Sequence, residues 1–422
     1  MRKIERSKIW LSSPHMSGRE LKYVHDAFQS NWIAPLGPNI DSFEQELQAY
    51  TDADHVAALS SGTAALHLGL ILLDVKEDDF VLTQSLTFAA SANPIRYLGA
   101  TPVFIDSERS TWNMCPVQLE IAIEACINGE LTLPNGKKGG KLPKAIIPVH
   151  LYGMPANMTE IIKVANKYGI PVLEDAAEAL GSAYKNQFCG TFGTMGALSF
   201  NGNKIITASG GGALLSNNEE LITKAKFLAT QARDNAAHYE HSEIGYNYRM
   251  SNVLAGIGRG QLEVIDNRVV ARRRNFKFYD DCFKAFDGIT VQHEPSGDYY
   301  SNHWLTAILI DPEKTGGIDR EFIRLKLAED NIESRPIWKP MHLQPVFENY
   351  PFFGTGVADE IFEKGLCLPS GSNLLNEDLY RVMEVFEQAF SKKNVEEFVV
   401  KDLHPAKESP FNSPLVKYQV RL

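Results

Sequence analysis

Short, wholly apolar runs of strand length recur between stretches of helical character along the first half of the chain. His55-Val56-Ala57-Ala58-Leu59 reads as a strand entering a Ser61-Gly62-Thr63 turn, and Ala64 to Leu73 as a buried helix. Phe80-Val81-Leu82, Val103-Phe104-Ile105, Ala145-Ile146-Ile147-Pro148-Val149 and Val172-Leu173 follow, with helical stretches such as Thr159 to Lys167 between them. A strand that is apolar at successive positions has no face to offer water, so helices must cover it on both sides. The expected fold class is α/β with a mostly parallel central sheet. In such sheets ligands gather at the carboxyl ends of the strands.

Length and charge narrow the reading further. A chain of 422 residues, 44% hydrophobic, can bury a large core and support a second, smaller domain. A charged helical run from about Asn252 to Ala285 is expected to bridge the two. This gives a large domain with an N-terminal segment over residues 1–285, a small domain over 286–396 and a loosely docked tail over 397–422. Asn128 to Lys141, polar and glycine-rich, reads as a surface insertion. The net charge of -10 argues against nucleic acid or an anionic membrane as the main partner. Ala57 to Val75 is about long enough to cross a bilayer, but its Ser60-Ser61-Gly62-Thr63 and His67 fit a buried strand, turn and helix better. Cys115, Cys126, Cys189, Cys282 and Cys367 lack metal-ligand spacing and read as reduced packing residues, so no metal is expected. With no secretory signal at Met1-Arg2-Lys3-Ile4-Glu5-Arg6, a cytoplasmic enzyme is the expectation.

Two residues carry candidate chemistry. Asp175 closes the run Ile170-Pro171-Val172-Leu173-Glu174-Asp175, and Lys204 follows 29 residues later, after Leu198-Ser199-Phe200-Asn201-Gly202-Asn203. An amine can condense with an aldehyde, and a carboxylate can keep a pyridine nitrogen protonated. Alone, each is weak. An Asp at a strand end is commonly a cap, and a lone Lys is commonly a solvated charge. Ser61-Gly62-Thr63, between strand and helix, offers free amides and a positive helix end to a phosphate, although a lone Ser-Gly-Thr is usually an ordinary cap.

The flanking residues decide between these readings. Glu174-Asp175-Ala176-Ala177-Glu178-Ala179-Leu180-Gly181 and Ser199-Phe200 to Lys204, followed by Gly210-Gly211-Gly212, resemble the DegT/DnrJ/EryC1/StrS family of nucleotide-sugar aminotransferases. Further matches stand in family order: Ser61-Gly62-Thr63-Ala64-Ala65-Leu66, Leu86-Thr87-Phe88, His150-Leu151-Tyr152-Gly153, Gly245-Tyr246-Asn247-Tyr248-Arg249-Met250, Lys339-Pro340-Met341-His342 and Leu368-Pro369-Ser370-Gly371.

The resemblance implies fold type I of the pyridoxal phosphate enzymes, aspartate aminotransferase-like, with a smaller C-terminal α+β domain. It implies pyridoxal 5′-phosphate as cofactor, alternating with pyridoxamine phosphate. Lys204 and Asp175 would be catalytic. Gly62, Thr63 and Ser199 would hold the phosphate, Phe88 would stack on the ring, and Asn247 would reach the phosphate from the neighbouring subunit of a homodimer. Asn31, Trp32, Ala34, Leu36 and His342 match substrate-side positions. Glu178 departs from the family, which usually carries Gln there, and a carboxyl donates a hydrogen bond only when protonated.

Glu178 with Ala-Leu-Gly-Ser after it resembles enzymes that aminate C4 of 4-keto-6-deoxy nucleotide sugars. The segments Asn201 to Gly212, Pro14-His15-Met16 and Asn31 to Gly37 are closer to the UDP-bacillosamine-pathway type. The expected reaction moves nitrogen from L-glutamate to a UDP-linked 2-acetamido-4-keto-2,6-dideoxy sugar. GDP-perosamine synthase is the nearest alternative, and a non-catalytic regulator that kept the fold is the alternative of another class. A Ser209-Gly210 pair replaces the Glu that commonly precedes the family's paired glycines, and no physical reason for it is evident.

Overall fold

Seven strands and a late edge strand build the central sheet. The computed structural model describes residues 6–132 and 138–391. The strands are β1 (His55–Leu59), β2 (Phe80–Gln84), β3 (Thr101–Ile105), β4 (Ala145–Ile147), β5 (Leu173–Asp175), β6 (Met195–Ser199) and β7 (Gly212–Ser216). β1, β7, β6 and β5 pair in that order, as do β4, β2 and β3, and parallel bridges Ile146–Val172 and Val149–Asp175 join the halves between β4 and β5. β7 alone runs against its neighbours β1 and β6, so the sheet is mostly parallel, as the apolar runs require.

A second, antiparallel sheet forms from β8 (Ile289–Val291), β9 (Thr306–Ile310), β10 (Arg335–Pro336) and β12 (Gly365–Leu368), ordered β8, β9, β12, β10. Between the last two in sequence lies β11 (Phe352–Phe353), which instead adds to the edge of the first sheet beside β3. The second sheet has its own apolar core of Phe278, Tyr279, Phe283, Ile308, Ile310, Leu327, Leu366 and Phe386. Ile9 is buried in that core and bridges to Ile332, so the N-terminal segment packs beside the C-terminal sheet.

The expected single helical run from Asn252 to Ala285 is two helices, Asn252–Leu262 and Ile265–Phe283, because Val264 leaves helical backbone at φ -121°. The break serves two packings: the first helix lies against the helices Glu20–Gln29 and Pro38–Thr51, while the second sends Phe278, Tyr279 and Phe283 into the C-terminal core. Of the expected surface insertion, Leu131–Thr132 pairs with Lys138–Gly139; residues 133–137 and the expected tail 397–422 lie outside the described residues. Among the described residues no helix is long and apolar enough to cross a membrane, no group of side chains could hold a metal ion, and all five cysteines are free thiols.

One buried carboxylate links the two parts of the chain. Asp106, just past β3, accepts hydrogen bonds from the amides of Ser107 and Ala358 on Oδ1 and of Thr355, Gly356 and Val357 on Oδ2, at 2.8–3.1 Å. It thereby satisfies the free amides that open the helix Val357–Lys364.

Candidate active site

The carboxyl ends of β5 and β6 and the Ser61-Gly62-Thr63 turn after β1 face one cavity of about 740 Å³. Its wall includes Gly62, Thr63, Phe88, Asp175, Glu178, Ser199 and Lys204, so the fold brings together seven of the residues singled out in the sequence.

The turn after β1 is tightly fitted. Ser61 caps the helix Gly62–Leu72, its side chain accepting from the amide of Ala64 at 3.0 Å. A Cβ on Gly62 would sit 3.0 Å from Cβ of Ser199, and one on Gly212 would be only 2.4 Å from the amide nitrogen of Gly62. Two glycines thus let β6, β7 and this helix start converge, leaving Ser199 beside free helix amides.

Asp175 is 6% exposed at the end of β5. Its Oδ2 accepts from Ser91 Oγ at 2.6 Å, and its Oδ1 from the amide of Ala177 at 3.2 Å. Ser91 in turn shares a hydrogen bond with Thr87, 2.7 Å away, so the carboxyl is oriented by a chain of hydroxyls.

Lys204 reaches the cavity with its side chain 12% exposed. Its Nζ donates to Glu178 Oε1 at 3.2 Å and sits 4.3 Å from the centre of the Trp304 ring. The loop carrying it is pinned from two sides, Trp304 Nε1 and Ser12 Oγ each donating to the carbonyl of Asn203 at 2.7 Å. Glu178 Oε2 accepts from the amide of Tyr152 at 2.8 Å. Tyr152 holds a left-handed backbone, φ 55°, within a turn supported by buried His150, whose Nε2 lies 2.9 Å from Glu174 Oε2. Burial pushes the Glu178 carboxyl up to about 7, against the opposing pull of the Lys204 charge and the Tyr152 amide. The departure from Gln therefore places beside Lys204 an acid that titrates near neutrality.

Other sequence candidates fall outside this cavity. Asn247 is exposed, bridging to Thr230. Asn31, Trp32, Ala34 and Leu36 lie on an exposed segment tied back by Asn252, which donates from its backbone to the Ala34 carbonyl and from Nδ2 to the Trp32 carbonyl. His342 has Nδ1 2.7 Å from Ser85 Oγ and Nε2 3.0 Å from Asp359 Oδ1, and stacks on Phe352 with centroids 3.7 Å apart. Conversely, Ser91, Trp304, Arg335 and Trp338 were missed. Trp338 had a signal: it immediately precedes the Lys339 to His342 match, and the chain turns there so that Trp338, not His342, faces the cavity. Ser91, Trp304 and Arg335 belong to no matched motif.

The residues present fit pyridoxal phosphate. An amine enters the cavity, a hydroxyl-anchored carboxyl lies in its wall, and a glycine-lined helix start gives room for a phosphate. Together with the mostly parallel sheet and the C-terminal sheet, this defines a pyridoxal phosphate-dependent aminotransferase of fold type I. More particularly, the chain belongs to the DegT/DnrJ/EryC1/StrS aminotransferase family, whose model matches residues 14–387.

It is 51% identical over 395 residues to EpsN of Bacillus subtilis (strain 168), whose name carries an unproven assignment as a pyridoxal phosphate-dependent aminotransferase; the match spans 93% of this chain and 98% of EpsN. It is 34% identical over 380 residues to GDP-perosamine synthase of Escherichia coli O157:H7, covering 90% and 98% of the two chains. Among solved structures, a DegT DnrJ EryC1 StrS aminotransferase from Brucella abortus superposes with TM-score 0.79 at 28% identity, covering 88% of this chain and 95% of that one. The chain is a sugar aminotransferase.

Proposed function

We propose that the protein moves an amino group from L-glutamate to C4 of a UDP-linked 2-acetamido-4-keto-2,6-dideoxy sugar, in the making of a bacterial glycan. When bound, pyridoxal phosphate supplies an aldehyde to accept nitrogen and a protonated ring to draw electrons from the reacting carbon. The observation that carries the reading is Lys204 held 3.2 Å from buried Glu178 in the cavity that also contains Asp175. Lys204 would hold the cofactor through its amine, and the same amine is placed to move the proton at the reacting carbon. Asp175, fixed by Ser91, holds the ring proton. Gly62, Thr63 and Ser199 receive the phosphate, and Phe88, 58% exposed in the cavity wall, offers its face to the ring. Glu178, when protonated, would donate to the cofactor's phenolic oxygen.

Asn247, Asn31, Trp32, Ala34 and Leu36 act, in this reading, in the site of a second copy of the chain. Their absence from the wall of their own cavity supports it, as does the exposure of Trp32 (46%) and Leu36 (59%). The substrate-side role of His342 rests on the resemblance alone. The UDP preference rests on the resemblance of Asn201 to Gly212 and Pro14 to Gly37. A GDP-linked 4-keto sugar is the second reading, favoured by the GDP-perosamine synthase relative. Glutamate supplied with a panel of 4-keto nucleotide sugars tests both: the proposal expects the highest kcat/KM for the UDP-linked acetamido sugar. A higher value for GDP-4-keto-6-deoxymannose would replace it with the second reading.

A further inference from the structure

A lysine stem is flexible, so where its amine sits depends on the backbone that carries it. For Lys204 that backbone is fixed at the carbonyl of Asn203, which accepts from Ser12 Oγ and from Trp304 Nε1 at 2.7 Å each. Behind both donors, outside the cavity wall, stands one buried residue. Arg272, on the helix Ile265–Phe283, is 1% exposed. Its Nη2 donates to Ser12 Oγ at 3.0 Å, and its Nη1 donates to the carbonyl of Trp304 and, at 3.2 Å, to that of Ser370. We propose that Arg272 is a positioning residue for Lys204, acting through Ser12 and Trp304, an inference that rests on the reading of Lys204 as the amine that holds the cofactor.

The surroundings of this arginine set it apart from a packing residue. Among the described residues no carboxylate pairs with it, and burial, followed by the charge of Arg268 one helical turn before it, pushes its guanidinium down to about 9. A buried cation without a counter-ion is costly, and an apolar side chain of similar volume would fill the same place at less cost. What only a guanidinium supplies is a rigid fork whose ends reach separate acceptors. One end holds the N-terminal segment at Ser12, and the other holds the backbone of Trp304. Ser370 closes the arrangement, its amide donating to the Leu11 carbonyl at 2.8 Å, so that Leu11 and Ser12 are both tied to this point. Trp304 then acts twice on Lys204: Nε1 fixes the carbonyl before it, and the ring centre lies 4.3 Å from Nζ. Loss of the fork loosens both pins together, and a misplacement of about 1 Å at a reacting group costs on the order of a hundredfold in rate.

The position of Lys204 can be read without turnover. Lysines of the cofactor-free protein are acetylated briefly with acetic anhydride and mapped by mass spectrometry, with Lys226 as the reference. Lys226 lies outside the cavity wall, its Nζ 2.7 Å from Glu44 Oε2 and its side chain 38% exposed. Arg272→Gln should raise the ratio of Lys204 to Lys226 labelling about fivefold to tenfold, the size of one lost hydrogen bond. Arg272→Met, which fills the space without a charge to bury, should do the same and secures the result against a loss of folding. In the cofactor-loaded variants the induced circular dichroism of the cofactor band, per bound cofactor, should fall. Arg272→Lys keeps the charge but not the fork and should leave most of the change in place. Ser12→Ala, at a half-buried residue, should give part of it, and combined with Arg272→Gln less than the product of the two effects, because both act on one carbonyl. An unchanged labelling ratio in the Arg272 variants, a rise shared equally by Lys226, or full rescue by Arg272→Lys overturns the proposal. If borohydride fixes the cofactor of the wild type to a different lysine, the reading of Lys204 beneath it fails instead.

Discussion

At the scale of single residues, the site is organised by what buried carboxyls do without water. Asp175 is oriented by Ser91 and the Ala177 amide, and Glu178 by Lys204 and the Tyr152 amide. Burial raises Glu178 from 4.5 to about 7 in the folded protein. A raised pKa favours the protonated form, so the stability this carboxyl contributes is complete below about 4.5 and is lost as pH climbs through about 7. Cofactor-free Glu178→Gln has no such loss. Its melting temperature should therefore gain on the wild type between about pH 5 and pH 8, in the direction linkage requires; a difference that is flat or shrinks with pH would show Glu178 charged throughout. Asp175 and Lys204 were legible in the sequence because chemistry and motif coincide there. Ser91, Trp304 and Arg335 were not, because a serine on a short helix, a buried tryptophan and an arginine on a two-residue strand acquire meaning only once the chain folds them against Asp175, Lys204 and the cavity.

At the scale of elements, the apolar runs located five of the seven central strands, β1 to β5, with ends off by up to two residues, while β6 and β7 went unread. A fully apolar strand has few alternatives once helices flank it. The break at Val264 was hidden, since neither glycine nor proline marks it; it redirects the second helix so that its start stays in the central core with Ile265 and Val269 while its later residues reach the C-terminal core. Equally hidden was β11, two residues that leave the C-terminal region to extend the first sheet. These crossings make Asp106 an element-scale clasp, and the C-terminal sheet's own apolar core supports the proposal of a domain division near residue 285. Asp106→Ala would leave five amides without their acceptor. Chemical denaturation should report a loss of about 3 kcal/mol or more, whereas Asp106→Asn, keeping one acceptor oxygen, should lose less.

At the scale of the whole molecule, residues assigned by resemblance divide by position. Seven share one cavity, and Asn247 with the 31–36 segment is not part of its wall. If a second copy completes the site, Asn247→Ala subunits mixed with Lys204→Ala subunits should regain activity that neither has alone, since one site of each mixed dimer keeps both residues. Absence of recovery after verified exchange would remove Asn247 from the site. The central claim, that this cavity holds pyridoxal phosphate through Lys204, has a more direct test. Protein loaded with the cofactor is reduced with borohydride, digested and mapped by mass spectrometry. The account predicts the pyridoxyl mass on the peptide containing Lys204 and nowhere else; the label on another lysine, or on none, would contradict it.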